Sequence, residues 1–183
     1  MLKLGAGLGH GFELDGFNGF SLPLVLGAER RLSDHFSAYA NLVTALHLVH
    51  GRSVYNDPLI NRGIVELGGR YYYNQAKRMQ RRKPAGPFVG NYLALQASTD
   101  VVPYYQQAAI NKRELHIEYS YSAISALWGM QRRINNLFLF DFNTGIAVYN
   151  EKYARYDAAT ESFAFYREPT PLIELNVRLS LVR

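Results

Sequence analysis

The chain contains no cysteine. That excludes disulfides, thiolate zinc sites and cysteine nucleophiles, and it accords with an oxidising envelope compartment. No apolar run approaches the ~18 to 20 residues that a transmembrane helix needs, so helical spans are excluded. A strand-built span is untouched by that absence, because lipid-facing residues there alternate with polar ones and never form a continuous apolar run. Proline is sparse, seven in 183 residues, and the opening MLKLGAGLGHGFEL lacks the charged, apolar and small-residue regions of a signal peptide. An exported form of this sequence is therefore expected to be a mature or trimmed chain.

Glycine and tyrosine are abundant, at 15 and 14 residues, and apolar residues are scattered through the chain. This suits strands with aromatic girdles better than a helical bundle, and the length fits one domain, residues 1–183. The formal net charge of +5 is a local excess. The segment QAKRMQRRKP carries Lys77, Arg78, Arg81, Arg82 and Lys83 in one connection, and elsewhere the two signs nearly balance. A polyphosphate binder spreads its basic residues over a face with interleaved aromatics, so nucleic acid is not an expected partner.

Period-two alternation marks the strands. In TPLIELNVRLSLVR, Ile173, Leu175, Val177, Leu179 and Leu181 alternate with Glu174, Asn176, Arg178 and Ser180. RELHIEYSYSA sets Leu115, Ile117, Tyr119, Tyr121 and Ala123 against Glu114, His116, Glu118, Ser120 and Ser122. LFLFDFNTGIAVY sets Phe138, Phe140, Phe142, Thr144, Ile146 and Val148 against Asp141, Asn143 and Gly145, and GIVELGGRYYYN sets Val65, Leu67, Gly69, Tyr71 and Tyr73 against Glu66, Gly68, Arg70 and Tyr72. The opening places glycine at every second position from Gly5 to Gly11, so one face there is nearly bare backbone, as crowded strand packing allows.

Eight strands are expected, near 2–14, 19–31, 36–49, 63–74, 87–99, 113–133, 137–150 and 170–183. Tight turns fall at Ser33-Asp34-His35 and Asn135-Asn136, and longer connections at 50–62, 100–112 and 151–169. Short turns at one end and long loops at the other suit an all-β, eight-stranded antiparallel up-and-down transmembrane β-barrel, with two exceptions: the first outer connection, Asp15 to Asn18, is short and the basic 75–86 turn is long. Runs of 11 to 14 alternating residues favour membrane-spanning strands over soluble ones, which average about 5 to 6 residues. The rival is a soluble lipocalin-like ligand-binding barrel, in which the apolar face would turn inward.

The segments ERRLSDHFSAYANL, GGRYYYN, WGMQRRINNLFLFDFNTGIAVY and IELNVRLSLVR give the chain its likeness to known proteins. In pattern and hairpin style it resembles, over essentially its whole length, the small outer-membrane barrels typified by OmpX, OmpW and the transmembrane domain of OmpA. The resemblance implies a Gram-negative outer-membrane location and a role in the cell envelope. Members of that group usually end in an aromatic residue, whereas this chain ends Leu181-Val182-Arg183, so a trimmed end or an atypical insertion signal is expected.

On these face assignments Glu29, Glu66, Arg70, Glu118, Asp141, Glu174 and Arg178 point into one lumen, joined by Lys3. An eight-stranded barrel is only wide enough for side chains to fill, and a buried charge must pair. The set reads as a salt-bridge plug with an acidic surplus. Phe36, Tyr71, Tyr73, Phe138 and Phe140 read as an aromatic girdle at the periplasmic, tight-turn end.

No catalytic, cofactor or metal site is expected. His116 sits between Glu114 and Glu118 with Ser120 and Ser122 beyond, which invites an outer-membrane lipid acyl hydrolase. Residues i and i+2 on a strand stand about 6.6 Å apart, however, beyond the ~3 Å a triad hydrogen bond needs. His47 and His50 fall on opposite faces of a strand, and GAGLGHG lacks the lysine of a phosphate loop. The expected role is structural or interactive, in contact with outer-membrane lipid. Tyr104, Tyr105, Tyr153, Tyr156, Phe163, Phe165 and Tyr166 in the outer loops would meet other envelope proteins.

Overall fold

The computed structural model describes residues 1–9, 13–15, 19–47, 60–81, 86–109, 112–157 and 162–183. Its strands are β1 (Leu2–Leu8), β2 (Glu13–Asp15), β3 (Gly19–Arg31), β4 (Phe36–His47), β5 (Ile60–Tyr72), β6 (Gly90–Ala109), β7 (Lys112–Ile134), β8 (Phe138–Asp157) and β9 (Ser162–Val182), with one short helix, α1 (Gln75–Gln80). From β3 to β9 each strand pairs antiparallel with the next. β1 closes the sheet on itself, because Leu4 lies opposite Leu26 of β3 on one side and Leu181 of β9 on the other. Since β1 and β2 both lie along β3, the result is eight antiparallel positions in a ring-like up-and-down sheet.

The first strand, expected to run through 2–14, is broken. On β3, Leu24 faces Ala6 of β1, but Ser21 faces Glu13 of β2, so the pairing slips by four residues across Leu22 and Pro23. Proline has no N–H to give to a ladder, and Pro23 stands at the slip. On the other chain segment Gly9 adopts φ +143, which glycine reaches without a Cβ clash.

The other prolines within strands also sit where, among the described residues, pairing on one side has ended. β5 follows β6 only as far as the pair Gly63–Val101, and Pro103 lies beyond it, opposite Ile117 of β7. β1 follows β9 only to the pair Leu8–Val177, and Pro169 and Pro171 lie beyond that, opposite Asn150 and Val148 of β8. Proline on a strand edge loses no ladder bond and discourages a stray strand from adding there.

The connections expected at 100–112 and 151–169 are mostly strand. β6 runs to Ala109 and β7 resumes at Lys112; β8 runs to Asp157 and β9 resumes at Ser162. The backbone keeps pairing through these stretches, past the level at which β7 and β8 part, at Tyr121–Glu151. The tight turns lie at the opposite end. Arg31 closes the first by donating to the Ser33 carbonyl and pairing with Asp34, and Asn135 turns the second at φ 60, a value asparagine tolerates. The basic connection begins as α1, tied down where the Asn91 N–H donates to Asn74 Oδ1 (2.9 Å).

One face assignment is reversed. Along β7 the pair Asp100–Tyr121 is followed by Val101–Tyr119, so Ser120 is an extra, bulged residue, and a bulge shifts the alternation by one. Tyr121 and Ala123, expected outside, are buried within the ring, and Ser122, expected inside, is half-buried on the other face.

Candidate functional site

The inner face of the ring is polar and charged, and its outer face is apolar. Glu66 is fully buried while Ile173 on the outside is 83% exposed. Alternation builds this along the strands, although the inner face also holds small apolar clusters, such as Val25, Val43 and Ile64. On β5, Glu66, Arg70 and Tyr72 are buried and Val65, Leu67 and Tyr71 exposed; on β6, Tyr92, Gln96, Ser98 and Asp100 are buried and Leu93 and Leu95 exposed.

The largest group of inward charges centres on Arg70. Its guanidinium donates to Glu29 Oε2 (2.9 Å) and Asp141 Oδ2 (2.7 Å), joining β5 to β3 and β8. The planar group lies between two rings, 4.3 Å from the centroid of Tyr39 and 4.6 Å from that of Tyr92. This placement favours a cation by the ring quadrupoles, and it offsets the one guanidinium nitrogen, Nε, that has no hydrogen-bond partner. Glu29 also takes Lys3 Nζ (2.5 Å) and the Ser37 hydroxyl (2.5 Å), and Asp141 takes the Tyr92 hydroxyl (2.6 Å) and Gln131 Nε2 (3.0 Å). The Tyr72 hydroxyl stands 2.8 Å from Glu29 Oε1 and 2.5 Å from Gln131 Oε1.

A second group crosses the ring. Arg178 of β9 grips Glu66 of β5 with both terminal nitrogens (2.8 and 2.5 Å), and Asn41 Nδ2 donates to the same carboxylate (2.9 Å). Further along, Glu174 Oε1 accepts from the Ser125 and Tyr149 hydroxyls, each at 2.8 Å. Lys3, Arg70 and Arg178 thus meet Glu29, Asp141 and Glu66 in described ion pairs. Buried Asp100 and Glu174 add acidic charge beyond them. Bidentate, charge-assisted bonds are the strong class of hydrogen bond, and here they tie strands on opposite sides of the ring across its interior.

Glu29, Glu66, Arg70, Asp141, Glu174 and Arg178 therefore all lie inside the ring; the side chain of Glu118 is outside the described residues. Sequence reasoning missed Tyr39, Tyr92, Gln96 and Gln131 because it searched for charge, and Asp100 because it fell in the connection expected at 100–112. A usable signal was their phase: Tyr92, Gln96 and Asp100 alternate with Leu93, Leu95 and Ala97.

Gly68 keeps Tyr39 on Arg70. A Cβ there would stand 2.6 Å from Tyr39 Cζ and 2.7 Å from the Leu95 carbonyl. Gly68→Ala is expected to displace the ring and cost about 1 to 3 kcal/mol, the usual penalty of overpacking. Urea unfolding of the refolded protein measures it, and unchanged stability would show that the stack contributes nothing.

On the outer face at the tight-turn end, Phe36 packs on Tyr71 (4.8 Å between centroids). The Trp128 indole N–H donates to the Tyr73 hydroxyl (2.9 Å), and Trp128 meets Phe142 edge-on. Phe138 and Phe140 lie on the same end of β8, so Trp128 and Phe142 extend the expected girdle. Beside it Lys77 and Arg81 are exposed and Arg78 is half-buried; Arg82 and Lys83 lie outside the described residues. At the far end Tyr153 stacks on Tyr166, and Lys152 sits over the exposed Phe165. The side chains of Tyr104, Tyr105, Tyr156 and Phe163 lie outside the described residues. So do those of Glu114, His116, Ser120 and His47, and all of His10 and His50.

Fold and site together define an all-β, barrel-like ring with a charged, cross-braced interior and an apolar exterior. Comparison with protein-family models, with curated proteins and with solved structures yields no match.

Proposed function

We propose that this chain is a small β-barrel of a bacterial outer membrane, its lumen plugged by ion pairs. Its role is structural or interactive, carried by the two hairpins that project beyond the ring. The observation that supports this is the sidedness. Leu26, Leu67, Leu95, Ile124, Ile146, Ile173 and Leu175 are exposed around the outside, while Glu29, Glu66, Arg70 and Asp141 are buried. A soluble barrel has the reverse arrangement, and monomers in water rarely expose an apolar surface beyond a few hundred Å². Lipid is the solvent in which such an exterior costs nothing. Strands of 12 to 23 residues from β3 to β9 exceed the ~9 to 11 needed to cross a bilayer at a tilt, and an aromatic band at one end suits an interface.

The test is dispersal and migration. The folded chain should need detergent and should run faster than the heated form on a gel. A chain that stays monomeric in buffer without detergent would overturn the reading. Ile146→Arg gives a quantitative version: in a bilayer it is expected to cost about 2 to 4 kcal/mol near the midplane, measured by urea unfolding from vesicles. A cost below about 0.5 kcal/mol, as for an ordinary water-exposed site, would place that face in water.

A further inference from the structure

Starting within the girdle, the outer wall carries a groove of about 770 Å³ lined by Phe36, Tyr71, Leu93, Leu95, Trp128 and Ile146. Its floor is low because Gly69, Ala126 and Gly145 present little or no side chain. Rimward of the groove stands the Tyr73–Trp128 hydrogen bond, and beyond that the surface becomes cationic. Arg132 lies four residues from Trp128 on β7, about 13 Å at ~3.3 Å per residue, and donates to Asn91 Oδ1 (2.5 Å) at the foot of α1. Arg78 of α1 is held at the same corner, because its N–H donates to the Asn74 carbonyl (3.1 Å) and Asn74 Oδ1 in turn accepts from the Asn91 N–H (2.9 Å), and its charge repels that of Arg132. Among the described residues no carboxylate pairs with Lys77, Arg81, Arg132 or Arg133, and Asp34 at this rim is engaged by Arg31.

We propose that groove and rim form one seat for an anionic phospholipid of the surrounding leaflet, with its phosphate on Arg132 and Arg78 and an acyl chain over Gly69, Ala126 and Gly145. The inference rests on the membrane reading above. The chemistry is complementary along the whole path: like charges that repel each other gain a shared anion, the indole and phenol occupy the interface they favour, and the groove replaces solvent with a chain. Basic residues at a membrane surface attract anionic head groups in just this way.

The test uses the full chain refolded into vesicles of equal parts dioleoylphosphatidylglycerol and dioleoylphosphatidylcholine, extracted gently and weighed by native mass spectrometry. Retention of about one phosphatidylglycerol per chain, in clear excess over phosphatidylcholine, is expected. Arg132→Gln should cut that preference about fivefold, the equivalent of ~1 kcal/mol for one basic contact, and Arg78→Gln, at the other cation of the seat, should lower it as well. Ala126→Phe, which fills the groove from outside, should reduce retention of both lipids. Excess inorganic phosphate should not displace the lipid; if it does, the site binds phosphate alone and the groove plays no part. Equal retention of the two lipids by a chain that has inserted, or a preference unchanged in all three variants, would overturn this inference and leave the membrane reading standing. Failure to insert at all would overturn both.

Discussion

Replacing Arg70 with methionine is expected to cost about 5 kcal/mol, the upper end of what removing one partner of a buried ion pair costs. The side chain bridges two carboxylates, and they would fare differently without it. Glu29 keeps Lys3 at 2.5 Å, whereas Asp141 is left with the Tyr92 hydroxyl and the Gln131 amide, neither of which carries charge. Asp141→Asn in the methionine background should therefore recover part of the loss, and Glu29→Gln should recover less. Arg70→Lys should fall between, since lysine keeps the charge but cannot fork to two carboxylates or lie flat between Tyr39 and Tyr92. Urea unfolding of the refolded protein gives each value. A loss below about 1 kcal/mol for the methionine variant would show that the ring holds without its central brace.

Arg178→Leu is expected to cost about 3 to 4 kcal/mol. It removes the two-pronged grip on Glu66 (2.8 and 2.5 Å) and leaves that fully buried carboxylate its bond from Asn41. Glu66→Gln in the leucine background should restore a good part of the loss, because a neutral amide is cheaper to bury than a carboxylate that has lost its two-pronged cation. The two arginines stand on separate carboxylates, so the loss in the Arg70→Met, Arg178→Leu double variant measures how far the two groups act as one. Simple additivity would mean two independent braces.

The fold was legible where alternation runs unbroken. The strand from Gly19 to Arg31 and the turns at Ser33–His35 and Asn135–Asn136 follow from apolar phase and turn chemistry alone, and so do the inward Glu29, Glu66, Arg70, Asp141, Glu174 and Arg178. Reading failed where the backbone departs from period two. One inserted residue, Ser120, reversed the faces of Tyr121 to Ala123. A missing donor at Pro23 split the first strand, though proline within an alternating run was a visible warning. The projecting hairpins were mistaken for loops because their prolines and polar residues resemble loop composition. The tyrosines around Arg70 were hidden for another reason: a neutral ring with a hydroxyl counts as apolar, although inside this ring it serves as both a hydrogen-bond partner and a stacking surface.

The braces also fix an order of events. Arg70 meets Asp141 across 71 positions of chain and Arg178 meets Glu66 across 112, while β1 meets β9 only when the two ends of the chain are side by side. Contacts so distant in sequence form late and slowly. A hairpin-by-hairpin assembly that has reached β8 still holds Glu66 without Arg178, and its seam is open. An intermediate that holds β5 but not β9 thus lacks the two-pronged grip of Arg178 on Glu66 that the last strand supplies, so β9 acts as the latch whose arrival makes the assembly hard to reverse.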